Sequence, residues 1–84
     1  MDKEQVLKTF GKDTNDFGAS SVQIGLLTLK IKSLTEHLKI HPKDISTQRG
    51  LKRKVELRKK LIKYLKAKNL DLFHKVVDFF KIRH

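Results

Sequence analysis

The stretch IGLLTLKIKSLTEHL, Ile24–Leu38, decides the fold of this chain. Its large aliphatic residues recur at steps of three and four, the spacing that places side chains on one face of an α-helix. Such a face must be covered, so this helix requires a partner helix. The residues of the face are Ile24, Leu27, Ile31, Leu34 and Leu38.

The rest of the sequence also has helical character, and we expect an all-α fold. Pro42 is the only proline, and no useful length of chain alternates apolar and polar residues as a strand does. The stretch GKDTNDFG, residues 11–18, favours a turn, and a capping-box pattern at Ser20 and Gln23 predicts the next helix start. The four predicted helices cover about Asp2–Phe10, Ser20–His41, Ile45–Lys68 and Leu70–Phe80.

The packing of these helices follows from where their apolar residues lie. The connection between the two long helices is short, which predicts an antiparallel hairpin. The first long helix has a second apolar strip, Val22, Leu26 and Leu29, only in its N-terminal half. We expect the first and last helices to cover that half, so that the far end of the hairpin protrudes. Residues 1–84 would then form a single domain.

The charge of the chain points to a polyanionic partner. The formal net charge is +11, and the pI is about 10.1. Residues 43–84 hold 14 Lys or Arg against 4 Asp or Glu, whereas residues 1–42 hold 6 against 5. Nucleic acid is therefore the first candidate.

Cellular location is constrained by what the sequence contains. Without cysteine, disulfides and thiolate metal ligands are excluded. Asp2 and Glu4 are unlike a signal or transit peptide, and no apolar run approaches the roughly 18 residues of a membrane span. We expect a cytoplasmic protein without a membrane partner.

Polar residues gather on one edge of the first long helix and in the loop that follows. Gln23, Lys30 and His37 are seven residues apart, and His41 lies close to the same edge. His37, His41 and Asp44 could hold a metal, but without cysteine or an HExxH pattern a hydrogen-bonding role is favoured. We expect neither metal nor cofactor, and no catalytic constellation that would indicate an enzyme.

The second long helix is basic on the side away from its apolar arc. Lys59 belongs to a lysine stripe there, and Arg53 and Lys60 align beside Tyr64. An aromatic bordered by cations suits RNA, although the lysines could form an ordinary solvated face and Tyr64 a half-buried core position. Arg58 falls inside the apolar arc, where we expect a carboxylate partner or a side chain that reaches to the rim.

Three stretches of the sequence closely resemble protein fifteen of the bacterial and organellar small ribosomal subunit. They are DFGASSVQIGLLTLKIKSL, LTEHLKIHPKDISTQRGL and LRKKLIKYLK. The most specific part is the spacing of His37, His41, Lys43-Asp44 and Arg49-Gly50-Leu51, followed by the basic run and Tyr64-Leu65. The likeness covers nearly the whole chain.

This resemblance implies a four-helix protein that binds small-subunit ribosomal RNA directly and early in assembly. It implies contact with a three-way junction and a nearby minor-groove site, neighbouring small-subunit proteins, a bridge to the large subunit, and a monomer when free. By position, the minor-groove contact falls on His37, Asp44 and Thr47. The junction contact falls on Gly18, Gln23, Lys30, Lys60 and Tyr64. To these we add His41, Arg49, Arg53 and Lys59 as RNA-binding residues.

Several positions depart from the family pattern. The family commonly has Thr at Phe17, Glu at Ser21, a His-His pair at Ile45-Ser46 and Ser at Thr47. A Thr hydroxyl can replace that of Ser, whereas Phe17 cannot donate a hydrogen bond. We expect Phe17 to stack on RNA or to turn inward.

Two other classes of protein share the small, basic, helical character. A helix-turn-helix DNA-binding protein has short helices that cross steeply, whereas apolar faces this long favour a hairpin. A cationic membrane-surface protein would leave its Leu and Phe residues free rather than bury them in packing.

Overall fold

The computed structural model describes residues 4, 5, 8 and 16–82. Residues 16–82 form three helices, α1 (Asp16–Ile40), α2 (Ile45–Lys68) and α3 (Leu70–Phe80), and contain no strand. The all-α prediction is confirmed for this part of the chain. Most of the predicted helix Asp2–Phe10 lies outside the described residues. Residues 4, 5 and 8 are the described part of it, and they are helical.

Helix α1 begins one turn earlier than the capping-box pattern predicted. It starts at Asp16, so Ser20 and Gln23 lie within the helix, and the predicted turn does not extend through Gly18. Inside a helix, the backbone N–H groups near a serine are already bonded to carbonyls of the preceding turn. The serine hydroxyl therefore has no unpaired N–H group to cap. The predicted capping box was therefore wrong.

The other helix boundaries agree with the sequence because local capping side chains set them. Asp44 caps α2, and its Oδ1 accepts a hydrogen bond from the Thr47 N–H at 3.2 Å. Asn69 ends α2 by donating its N–H to the Leu65 carbonyl at 2.8 Å, and its Oδ1 accepts from the Leu72 N–H at 3.2 Å. One residue thus closes α2 and opens α3.

The buried core lies at one end of the helices. It draws on the N-terminal part of α1, the C-terminal part of α2, four residues of α3 and one residue that follows α3. Its members are Ser21, Ile24, Ile62, Leu65, Phe73, Val76, Val77, Phe80 and Ile82. By contrast, Ile40 and Ile45, which flank the loop between α1 and α2, are 75% and 55% exposed. The loop therefore stands outside the core.

Arg58 links α1 and α2 in a way that the sequence did not predict. Its Nη1 donates to the Thr28 hydroxyl at 3.3 Å, and its Nε is buried without a hydrogen bond to the described residues. Burial lowers the pKa of Arg58 from its ordinary value. No carboxylate of the described residues pairs with it, because the side chain across the helix contact is a threonine.

Candidate nucleic-acid interface

The loop between α1 and α2 is a tight turn closed by hydrogen bonds. The Asp44 N–H donates to the His41 carbonyl at 3.2 Å, and Pro42 follows His41, the position at which proline favours such a turn. One turn into α2, Gln48 Nε2 donates to the Pro42 carbonyl at 2.6 Å. The loop is thus attached to both helices through specific atoms.

The Asp44 carboxylate bonds to His37 and to Thr47. We call these three residues, His37, Asp44 and Thr47, the loop cluster. The Asp44 Oδ2 accepts from the Thr47 hydroxyl at 2.7 Å and contacts His37 Nε2 at 2.9 Å. The hydrogen bonds from Thr47 and then His37 lower the pKa of Asp44 from 3.8 to about 2. Asp44 therefore stays ionised to a lower pH than an ordinary aspartate.

The ionised Asp44 decides which nitrogen of the His37 imidazole carries the hydrogen of their bond. A carboxylate without a proton can only accept, so His37 Nε2 must carry the hydrogen of their shared bond. His37 Nδ1 then remains available to other groups. The side chains of His37 and Asp44 are 44% and 34% exposed, so a partner can reach them from solvent.

His41 lies beside the loop cluster. Its ring centroid is 4.9 Å from that of His37, with the planes inclined at 42°. In the described part of the chain, no group of three or more metal-binding side chains has the arrangement of a metal site. His37 directs Nε2 at Asp44 instead.

The helical surfaces present the other predicted RNA-binding side chains to solvent. Gln23 and Lys30 on α1 are exposed. Tyr64 on α2 is 41% exposed, so its ring is accessible rather than enclosed in the core. Arg49, Arg53, Lys59 and Lys60 are exposed on α2. Gly18 lies in the first turn of α1.

The positions that depart from the family pattern have different surroundings. Ser21 is fully buried beside the core residue Ile24, and Ile45 is exposed next to the loop. Thr47 uses its hydroxyl to donate to Asp44. The side chain of Phe17 lies outside the described residues.

Sequence reasoning missed the bond between Gln48 and Pro42. A polar side chain four residues beyond the helix cap Asp44 lies on the same helix face as the cap. That spacing was the available signal, but it does not reveal that the acceptor is a loop carbonyl.

The sequence pattern of the family described as ribosomal protein S15 matches residues 3–83. The chain belongs to the ribosomal protein S15 family. This membership confirms the resemblance found in the sequence and the expectation that the protein is a structural constituent of the ribosome rather than an enzyme. The predicted ribosomal location, which is cytoplasmic in bacteria, is confirmed on the same ground.

Curated relatives of the S15 family cover nearly the same length. The chain is 42% identical over 83 residues to small ribosomal subunit protein uS15 of Fervidobacterium nodosum, covering 99% of each chain. It is 44% identical over 81 residues to the protein of that name from Leptospira biflexa, covering 96% of this chain and 92% of the relative. The uS15 protein of Mycoplasma genitalium is 42% identical over 83 residues, covering 99% and 96% respectively.

Within the described residues, no helix combines the length and the apolar character that a membrane crossing needs.

Proposed function

We propose that this S15 family member binds the RNA of the small ribosomal subunit directly, at a three-way junction and at a nearby minor-groove site. The observation that carries the proposal is the loop cluster, in which His37 and Thr47 both bond to the Asp44 carboxylate at an exposed end of the protein. The three relatives are named as small-subunit proteins, which supports the choice of subunit.

The chemistry of the loop cluster favours a groove rather than a phosphate backbone. The ionised Asp44 repels phosphates and accepts hydrogen bonds, and the donors that RNA offers are 2′-hydroxyls and base amino groups. Both are presented in the wide, shallow minor groove of an A-form helix. His37 Nδ1 and the remaining lone pairs of the Thr47 oxygen can accept from the same groups. We assign His37, Asp44 and Thr47 to this groove, with His41 beside them.

The exposed Lys and Arg residues of α1 and α2 described above form a cationic surface, which suits the three-way junction. Lys30 and Lys60 would meet phosphates, while the exposed ring of Tyr64 packs on a sugar or a base. Gln23 can bond to sugar or base edges, and Gly18 lets the RNA backbone approach α1. Arg49, Arg53 and Lys59 would add sequence-independent attraction.

An antiparallel hairpin of α1 and α2 would hold the two surfaces at a fixed separation. The connection spans only residues 41–44, and Arg58 bonds to Thr28, which is 30 residues earlier in the chain. Both facts support the hairpin. We propose that the N-terminal helix and α3 cover its core end, so that residues 1–84 form a single four-helix domain.

The proposed place in the ribosome follows from direct binding. A protein that recognises RNA without another protein's help can join early in assembly. Its exposed surfaces would then meet neighbouring small-subunit proteins and contribute to a bridge to the large subunit. The net charge of +11 opposes self-association, which supports a monomer when free.

Equilibrium binding to a small-subunit RNA fragment tests the proposal. The fragment contains the three-way junction and the adjacent minor-groove site, and binding is measured at two salt concentrations. We expect tight binding to this fragment and weak, strongly salt-dependent binding to duplex DNA of equal length. Preference for DNA would contradict the proposal and favour the helix-turn-helix class. Co-sedimentation with anionic vesicles in the absence of RNA would favour the membrane-surface class.

A further inference from the structure

Gln48 makes two hydrogen bonds to the turn between α1 and α2, one to Pro42 and one to Asp44. Its side-chain Nε2 donates to the Pro42 carbonyl at 2.6 Å, and its backbone N–H donates to the Asp44 carbonyl at 3.0 Å. The first of these bonds uses a long, exposed side chain to hold a loop carbonyl. Such a bond is not required by the helix, whose first turn is already capped by Asp44.

The position of Pro42 affects where the Asp44 carboxylate lies. Pro42 is two residues before Asp44, within the turn closed by the Asp44 N–H and the His41 carbonyl. A rotation of the peptide after Pro42 would therefore displace Asp44 relative to His37. Gln48 opposes that rotation because it fixes the carbonyl of this same peptide.

We propose that Gln48 is a positioning residue, which aligns Asp44 and the loop cluster for the minor groove of A-form RNA through its bond to Pro42. This inference rests on the proposed function. A loop held in its binding conformation loses less conformational entropy on association, so the bond would strengthen RNA binding without a contact of its own to RNA.

Two substitutions of Gln48 separate the hydrogen bond from side-chain length. Gln48→Met keeps the length and the helical preference but has no donor. Gln48→Arg restores a donor that is long enough to reach the Pro42 carbonyl. Because arginine also adds charge, the informative quantity is protection at the minor-groove site relative to protection at the junction within the same RNA.

The experiment is a quantitative footprint on the junction fragment with the wild type and both variants. We expect Gln48→Met to bind the minor-groove site about 2- to 10-fold more weakly, the range for loss of one hydrogen bond, while junction protection stays unchanged. Gln48→Arg should return the ratio to that of the wild type. Nitrogen NMR of His37 should show a less populated Nε2–H tautomer in Gln48→Met only.

The outcomes distinguish this inference from the proposed function. If the wild type protects neither RNA site, the proposed function fails. If the wild type protects both sites and Gln48→Met gives the same ratio and the same His37 tautomer, the positioning role is wrong. Helicity measured by circular dichroism identifies loss of folding, and an equal loss at both sites with lowered helicity would also overturn the positioning role.

Discussion

The two ends of this protein are stabilised by different interactions. The core end buries apolar side chains from α1, α2 and α3, whereas the loop end is exposed and held by hydrogen bonds that polar side chains make to one another and to the loop backbone. Apolar burial supplies most of the free energy of folding, while short polar bonds set directions at a modest net gain. Stability and RNA recognition are therefore expected to depend on different residues.

The largest effect should come from the core end. Phe73→Ala removes a ring that is 1% exposed, and we expect a loss of about 3–5 kcal/mol in the free energy of unfolding. Thermal or urea unfolding measures it. The matched control is Phe79→Ala on the same helix, whose ring is 40% exposed and should cost much less. Equal costs would contradict the proposed location of the core.

Asp44→Ala should change RNA recognition far more than overall packing. We expect binding to the minor-groove site to weaken by about 5- to 150-fold, with reduced discrimination among sequences there. The change also removes the cap of α2 and should lower the Tm. Asp44→Asn is the control because asparagine also caps a helix well, so it should lower the Tm less than Asp44→Ala does and still weaken RNA binding. A variant that binds like the wild type would remove Asp44 from the interface.

Lys59→Ala should have a smaller and less selective effect. An exposed lysine that meets a phosphate attracts every RNA alike, so affinity should fall similarly for all fragments. The slope of log affinity against log salt should flatten by about 1. Lys59→Arg retains the charge and should preserve the slope. A loss confined to one RNA site would indicate specific contact rather than general attraction.

The smallest effect is the dependence of stability on acid at the loop end. The pKa of Asp44 falls from 3.8 to about 2 in the folded protein, so between these values the unfolded chain binds more protons. The stabilising contribution is therefore complete above pH 3.8 and is lost as the pH falls through about 2. Melting curves of the wild type and Asp44→Asn should converge across this window. A constant difference down to pH 2 would contradict the hydrogen bonds to Asp44.

The sequence predicted the boundaries of α2 and α3 well because their caps are local. Asp44 and Asn69 each satisfy backbone groups within three residues, so the signal and the structure concern the same short segment. The predicted start of α1 was wrong for a related reason. Ser20 and Gln23 match a capping pattern, but a helix that begins upstream at Asp16 continues through it.

The candidate site could be predicted only in part. Helical spacing and the family resemblance indicated His37, Asp44 and Thr47, and the structure brings these three together. Lys30, Lys60 and Tyr64 are exposed, as their predicted use requires. The role of Gln48 was missed because its acceptor is a backbone carbonyl. Every residue has this group, so the residue type does not indicate which carbonyl accepts.

The sequence by itself determined the helical fold class, the basic character of α2 and the family. These depend on the periodicity of apolar residues, on net charge and on local capping, all of which are properties of neighbouring positions. Only the tertiary structure decided that Arg58 bonds to Thr28 and that Gln48 holds the Pro42 carbonyl. Hydrogen bonds require distances of about 3 Å and directed donors, and residues separated by a turn or a helix reach that geometry only after the chain has folded.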